Sequence, residues 1–164
     1  LQSIEAPFVN AASTDRKINA FTLHDSELFA FSGSKDGFVG ITNFSQTPHQ
    51  SIAVRCHSDR ITDIRTCTKR PLHLFTSSHD GTVKIMDLSR IPTFQLQQQE
   101  QSSAQQRGEL DHFYATQSST HFGETVIDMN AGAMIHGFDV KNAGREVYAV
   151  DNDGMLLFAD LRTH

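Results

Sequence analysis

The sequence predicts an all-β fold in which one small antiparallel unit occurs about three times. The strongest observation is an Asp-Gly pair that recurs between two short apolar runs, at Asp36-Gly37, Asp80-Gly81 and Asp153-Gly154. An Asp-Gly pair in this setting is among the clearest short-range signals of a β-hairpin, because glycine adopts positive φ without steric cost. A further short apolar segment precedes each hairpin, so each unit contains more than two candidate strands.

The individual elements follow from the alternation of apolar and polar residues around these turns. The predicted hairpins cover residues 28–44, 72–88 and 146–161. The strands predicted before them are residues 18–21, 61–64 and 134–140, and residues 51–54 form another strand after the first hairpin. We therefore expect four strands in each unit.

The spacing of the turns indicates the blades of a β-propeller. Asp36 and Asp80 lie 44 positions apart, within the roughly 40 to 45 residues of a four-stranded blade. Asp80 and Asp153 lie 73 positions apart, and the excess coincides with a stretch rich in Gln and Ser that buries too little apolar surface to fold. The expected organisation is residues 1–56 as blade one with a leading strand, 57–96 as blade two, 97–132 as an insertion and 133–164 as an incomplete blade three.

Composition limits the class of protein. The 164 residues are 38% hydrophobic and 20% charged, which is typical of a soluble globular domain. The longest apolar run, residues 155–159, is far shorter than the roughly 20 residues of a membrane-spanning helix, so we expect no membrane partner. The net charge of -5 argues against a surface that is basic overall, although a local basic patch remains compatible with it. Cys56 and Cys67 are too few for a disulfide scaffold, so free thiols in a reducing compartment are expected.

The second unit carries a recognisable motif. Cys56-His57 precedes its first strand and Met86-Asp87 ends its third strand. The unit resembles a WD repeat, with Cys-His where Gly-His usually stands and Met-Asp where Trp-Asp usually stands. The resemblance implies the fold of a WD-repeat β-propeller segment, with about three four-stranded blades that belong to a larger closed propeller.

The motif also implies a buried polar relay, which satisfies groups that would be costly inside a blade. The other two units depart from the pattern, because Thr14 and Ala131 stand where the relay histidine would be and the chain contains no Trp. We therefore expect the relay in the second unit. The residues expected to form it are His57, Thr76 or Ser78, and Asp80.

A narrower resemblance rests on three segments. Gly-Phe-Val-Gly-Ile-Thr-Asn occupies residues 37–43, the hairpin of the second unit ends in Asp-Leu-Ser-Arg at 87–90, and Phe-Asp-Val at 138–140 is followed by Asp-Leu-Arg at 160–162. Together they are similar to the WD-repeat family that groups the small subunit of the UV-damaged-DNA-binding complex with its yeast and animal relatives. The resemblance implies a nuclear interaction scaffold linked to DNA damage or chromatin.

Part of the third unit resembles a docking motif. Asp153, Asp160 and Arg162 match the box by which many WD proteins dock on the adaptor of a cullin-4 ubiquitin ligase, with Ala159 in place of Trp. An arginine at the end of a strand suits this role, because its planar fork makes several hydrogen bonds to one partner. The alternative interpretation is a turn that ends the blade, in which Asp160 accepts backbone hydrogen bonds.

Basic residues provide a second candidate for partner binding. Lys69 and Arg70 lie in the loop after the first strand of the second unit, and Lys141 and Arg145 lie in the equivalent loop of the third. The hairpin pattern places these loops on the same rim as Arg162. They form either a shared partner-binding edge or ordinary solvated loop charge. The turns at the opposite rim are acidic, so they are poor sites for the phosphates of DNA.

No catalytic or metal-binding pattern is present in the sequence. The nine histidines lack the spacing of a zinc finger, and no Gly-x-Ser-x-Gly elbow occurs. We expect a non-enzymatic protein without metal or cofactor, completed by the remainder of its propeller or by another chain, because propellers typically have 4 to 8 blades. The alternative to a nuclear scaffold is a structural subunit of a stable multiprotein assembly, in the cytoplasm or nucleus, with no role at DNA.

Overall fold

The computed structural model describes residues 17–45, 47, 49–90, 125–129 and 133–162. These residues form three antiparallel sheets, so the predicted all-β class is confirmed. Within each sheet, the strands pair in chain order. The first sheet contains β1 (Ile18–Leu23), β2 (Phe29–Ser34), β3 (Phe38–Asn43) and β4 (Gln50–Arg55). The second contains β5 (Ile61–Thr66), β6 (His73–Ser78), β7 (Thr82–Asp87) and β8 (Thr125–Asp128), and the third contains β9 (Ile135–Lys141), β10 (Glu146–Asp151) and β11 (Leu156–Asp160).

All three predicted hairpins are present, and their turns share one geometry. The loop has three residues in the first two hairpins and four in the third, and its third residue is in each case a glycine with positive φ: 84° at Gly37, 84° at Gly81 and 80° at Gly154. The glycine N–H donates to the carbonyl of the last residue of the preceding strand in each turn. Side chains support the turns as well, since Asp151 Oδ1 accepts the N–H groups of Asp153 and Met155.

The expected insertion needs a correction at its end. Strand β8 falls inside the range 97–132 and pairs with β7, so it completes the second sheet rather than separating the second and third units. The Gln-rich stretch therefore lies between the third and fourth strands of one sheet. Residues 91–124 and 130–132, like the leading segment 1–16 with Thr14, lie outside the described residues. The third sheet has three strands among the described residues.

The sheets pack face to face, with their first strands adjacent. β1 contacts β5, and β5 contacts β9. Two apolar cores result, one between the first and second sheets and one between the second and third. The first core centres on Phe29, Phe31, Val39, Ile41, Ile61, Ile64 and Leu74, and the second on Phe75, Val83, Ile85, Ile135, Phe138 and Val147.

Two short 3-10 helices, Leu88–Arg90 and Asn142–Gly144, lie at one end of the sheets. No helix among the described residues has the length and apolar composition needed to cross a membrane. Below, the end of the sheets with the loops between first and second strands is called the loop rim. The opposite end, which carries the Asp-Gly turns, is called the turn rim.

Candidate functional site

His57 lies on the turn rim, four positions before the first residue of β5, and its side chain is fully buried. Its Nδ1 lies 2.9 Å from Asp80 Oδ2, and its Nε2 lies 2.9 Å from Thr76 Oγ1. Because a carboxylate only accepts, Nδ1–H donates to Asp80, while Nε2 makes its hydrogen bond with the Thr76 hydroxyl. The Cys56 thiol, 3.6 Å from Thr76 Oγ1, extends this chain of contacts.

Asp80 is held as a carboxylate by its surroundings. Burial alone would raise its pKa, but the hydrogen bond and charge of His57, with hydrogen bonds from Thr82 and the Ser58 N–H, hold the pKa well below its usual range. The Thr82 hydroxyl donates to Asp80 Oδ1 at 2.7 Å. The Asp80 side chain is 9% exposed, so this network lies inside the second sheet and joins its β6–β7 turn to the segment before β5.

Of the two residues predicted as alternatives for the centre of the relay, Thr76 contacts His57. Ser78 instead donates from its hydroxyl to Asp59 O at 3.1 Å and accepts the Asp80 N–H at 3.0 Å, so it supports the turn. Thr82 also belongs to the network, although it was not among the residues predicted for the relay. Its position directly after Asp80-Gly81 was an available signal, since Ser and Thr commonly hydrogen-bond to nearby turn groups.

The loop rim joins all three sheets. In the loop after β1, buried His24 places Nε2 2.8 Å from Pro71 O, which belongs to the loop after β5. That loop in turn contacts the loop after β9, because Gly144 is so close to Arg70 that an added Cβ would lie 2.7 Å from Arg70 Cδ. Neither His24 nor Gly144 was predicted from the sequence to take part in a site. Both act between sheets, so the local sequence patterns gave no signal for them.

Three basic side chains of the loop rim carry charge that no carboxylate of the described residues pairs with. Lys69, Arg70 and Arg145 form no ion pair with another described residue. Lys141 lies with Nζ 5.7 Å from the centre of the Tyr148 ring, a cation–π arrangement. The structure therefore brings the predicted residues Lys69 and Arg70 to the same rim as Lys141 and Arg145.

The loop that carries Arg145 has an unusual backbone. Asn142, Ala143 and Gly144 all have positive φ, at 50°, 59° and 79°. Such angles are sterically unfavourable for residues other than glycine, although asparagine tolerates them better than alanine does. The Leu161 N–H donates to Arg145 O at 2.7 Å, so this loop is fixed to the segment that carries Arg162.

Arg162 is paired with Asp160. Its Nε lies 2.8 Å from Asp160 Oδ1, a second nitrogen contacts Oδ2, and its backbone N–H donates to Oδ1 at 3.0 Å. These bonds, the side-chain bond first, lower the pKa of Asp160 to about 2. The Arg162 side chain is 55% exposed, so one edge of its guanidinium faces Asp160 while the rest is open to solvent.

The predicted docking box is divided between the two rims. Asp160 and Arg162 lie at the loop rim, whereas Asp153 lies in the turn before β11, at the turn rim. The five residues of β11 separate them by about 17 Å at the usual rise of a strand. Asp153 and Arg162 therefore do not form one contact site.

His73 lies at the loop rim beside the basic residues. Its Nδ1 is buried and has no hydrogen-bond partner among the described residues. Burial first, and then the charge of Arg70, lower its pKa, while Asp87 opposes the shift. Within the described ranges, no group of three or more His, Cys, Asp or Glu side chains is arranged to hold a metal ion.

In comparisons with known proteins, no family model matches the sequence and no curated protein matches it. The features of this chain that bear on its function are therefore the two rims described above and the motifs in its sequence.

Proposed function

We propose that this chain is a segment of a WD-repeat β-propeller that acts as a non-enzymatic interaction scaffold. Three antiparallel sheets that pack face to face, with adjacent first strands, support the propeller arrangement. The contacts of His57 with Thr76 and Asp80 support the WD-repeat interpretation, since they are the relay that the motif implies.

The loop rim of the second and third sheets is the proposed binding surface. The observation that carries this proposal is the contact between Arg70 and Gly144, which makes one continuous surface from two loops that are distant in sequence. Because Leu161 is hydrogen-bonded to Arg145, the surface continues to Arg162. A binding surface built across two packed sheets has a fixed geometry, which favours specific recognition.

The charge of this surface favours an acidic protein partner. Lys69, Arg70 and Arg145 are not neutralised by described carboxylates, and the guanidinium of Arg162 is already oriented by Asp160. A partner carboxylate can accept charge-assisted hydrogen bonds from all four basic side chains. At Lys69, Arg70 and Arg145, it does so without first breaking an ion pair with a described residue. From the sequence resemblance we propose that this partner is the adaptor of a cullin-4 ubiquitin ligase. We propose further that the protein acts in the nucleus, in a process linked to chromatin or DNA damage.

A capture experiment tests the binding surface. The immobilised chain is incubated with the purified adaptor, and wild type is compared with Arg70→Ala, Arg162→Ala and the control Arg60→Ala. Arg60 is a matched arginine at the turn rim, where its carbonyl accepts the His79 N–H, so its side chain is removable without loss of that bond. We expect both loop-rim variants to reduce capture at least tenfold, and the control to bind like wild type.

Equal capture by all four proteins would contradict the proposed surface. A parallel titration with duplex DNA at rising salt separates the alternatives. DNA binding that falls steeply with salt would indicate phosphate contacts. Absence of both adaptor and DNA binding would favour the structural-subunit alternative, which the net charge of -5 also fits.

A further inference from the structure

Three loops of the loop rim stand at equivalent positions in the three sheets. We call residues 24–28, 67–72 and 142–145 the first, second and third loops, because each connects the first strand of its sheet to the second. They end in Leu28, Leu72 and Arg145, directly before β2, β6 and β10. The carbonyl of this last residue accepts an N–H from the chain just after the third strand, namely that of Phe44, Leu88 and Leu161.

The charges of these loops divide the loop rim. The first loop carries the exposed carboxylates of Asp25 and Glu27 and contains no Lys or Arg. The second loop carries Lys69 and Arg70 and contains no carboxylate, and the third loop carries the exposed Arg145. The rim is therefore acidic at the first sheet and basic at the second and third.

The opposite charges of the first and second loops do not neutralise each other. The two loops are in contact, because His24 Nε2 lies 2.8 Å from Pro71 O. Neither carboxylate of the first loop forms an ion pair with a described residue, and the same holds for Lys69 and Arg70. Charges of both signs that are held side by side in this way attract a partner of complementary pattern and fix the register in which it binds.

Two leucine side chains lie where the first and second loops meet. Leu28 is 41% exposed and Leu72 is 39% exposed. Leu72 directly follows Pro71, which His24 contacts, and the Leu28 N–H donates to Ser26 Oγ, itself 2.8 Å from His24 Nδ1. Exposed apolar side chains bordered by polar and charged residues are typical of a surface that binds another protein.

The backbone of the first and third loops is strained. Within the described part of the chain, all the non-glycine residues with positive φ lie in these loops: Glu27 at 59°, Asn142 at 50° and Ala143 at 59°. In the first loop, the Glu27 N–H donates to His24 O at 2.8 Å and fixes the turn. Strained backbone persists only where the surrounding structure holds it, and it is concentrated at functional sites. This feature distinguishes the same loops independently of their charge.

We propose that the loop rim binds an extended segment of its partner in one fixed order, with a basic end over the first loop, apolar residues over Leu28 and Leu72, and an acidic end over the second and third loops. Packed sheets lie roughly 10 Å apart, so the three loops span about 20 Å, the length of about six extended residues. The inference deepens the proposed function and rests on the loop rim as its binding surface. It adds the first sheet to that surface and gives the bound segment a direction.

Three synthetic peptides of about ten residues, long enough to cover the loops, test this order. The graded peptide has lysines at one end, leucines in the middle and glutamates at the other end. The acidic peptide has glutamates in place of the lysines, and the serine peptide has serines in place of the leucines. Fluorescence anisotropy measures the affinity of each for the whole chain. The graded peptide should bind roughly tenfold more tightly than either of the others, because it alone matches both charges and the apolar middle.

Charge reversal in the first loop provides the sharpest variant. Asp25→Lys/Glu27→Lys should invert the preference, so that the acidic peptide binds more tightly than the graded one. The control Asp59→Lys/Asp153→Lys makes the same change in net charge on two exposed carboxylates of the turn rim, and it should keep the wild-type order of affinities. Circular dichroism should show the wild-type strand content in both variants, because all four side chains are exposed.

Three results would each overturn the proposed order. They are equal binding of the graded and acidic peptides to wild type, equal binding of the graded and serine peptides, and no binding of any peptide. Capture of the adaptor then separates this failure from that of the proposed function. Reduced capture by Arg70→Ala and Arg162→Ala would show that the loop rim binds its partner in another way, whereas equal capture by wild type and both variants would overturn the loop rim as well.

Discussion

His57 and Asp80 are joined by a 2.9 Å hydrogen bond, although 22 residues separate them in the chain. The bond connects the segment before the first strand of the second sheet to the turn between its second and third strands. Because Thr76 contacts the other imidazole nitrogen, His57 is held from both sides by the sheet that it precedes. A buried polar side chain with both of its ring nitrogens hydrogen-bonded fixes its neighbours in one arrangement.

Replacement of His57 by alanine should destabilise the protein by about 1 to 3 kcal/mol, because it removes one hydrogen bond from buried Asp80 and one from buried Thr76. His79 directly follows the end of β6 and is half-buried, and it makes its structural hydrogen bond through its backbone N–H. His79→Ala should therefore cost within about 0.5 kcal/mol, as at other surface positions. Urea unfolding of both variants measures the difference. Equal losses, or a larger loss for His79→Ala, would mean that the WD-repeat alignment is wrong.

Acid should remove the contribution of Asp80 to stability. Its pKa is lower in the folded protein than the usual value of about 3.9, so the folded state favours the carboxylate. The stabilisation is complete above about pH 5, well above the unfolded pKa, and it is lost progressively as the pH falls further. The free energy of unfolding of wild type should therefore fall more steeply between about pH 4.5 and 2.5 than that of Asp80→Asn. Parallel curves for the two proteins would contradict this assignment.

Mild acid should destabilise the protein through two histidines. Burial first, and then the charge of a neighbouring arginine, lower the pKa of His73 and of His79. As the pH falls, these two histidines therefore become protonated in the unfolded chain before they do so in the folded protein. The free energy of unfolding consequently declines as the pH drops below the histidine pKa of the unfolded chain, about 6.5. The fall in the free energy of unfolding between pH 7.5 and 5.5 should be smaller in the double variant His73→Gln/His79→Gln. An unchanged fall would show that other groups cause it.

The sequence predicted the hairpins correctly because their signal is local. An Asp-Gly turn determines its own backbone conformation, and Gly37, Gly81 and Gly154 adopt nearly the same φ. The relay histidine was also predictable, since a motif with fixed spacing carries it. Strand β8 was not, because it is four residues long, follows a Gln-rich stretch and has no hairpin turn that links it to β7.

Contacts between sheets were beyond the reach of the sequence patterns. The proximity of Arg70 to Gly144 and of His24 to Pro71 depends on how the sheets pack, and these residues lie 74 and 47 positions apart. The separation of Asp153 from Arg162 was not apparent from the sequence motif either. The motif specifies only the number of residues between the two, whereas in the structure the extended strand β11 lies between them and places them at opposite rims. Local chemistry therefore predicts the elements, and packing decides which side chains share a surface.

The contact between Gly144 and Arg70 gives the sharpest test of the loop rim. Gly144→Ala places a Cβ at a residue with φ of 79°, which costs roughly 1 to 2 kcal/mol by itself, and it also displaces the Arg70 side chain. In an Arg70→Ala background, the backbone cost remains but there is no long side chain to displace. Gly144→Ala should therefore cost more in wild type than in Arg70→Ala, a difference that a double-mutant cycle of unfolding free energies measures. Equal costs in the two backgrounds would mean that the two loops are not in contact in solution, and the continuous binding surface would then be lost.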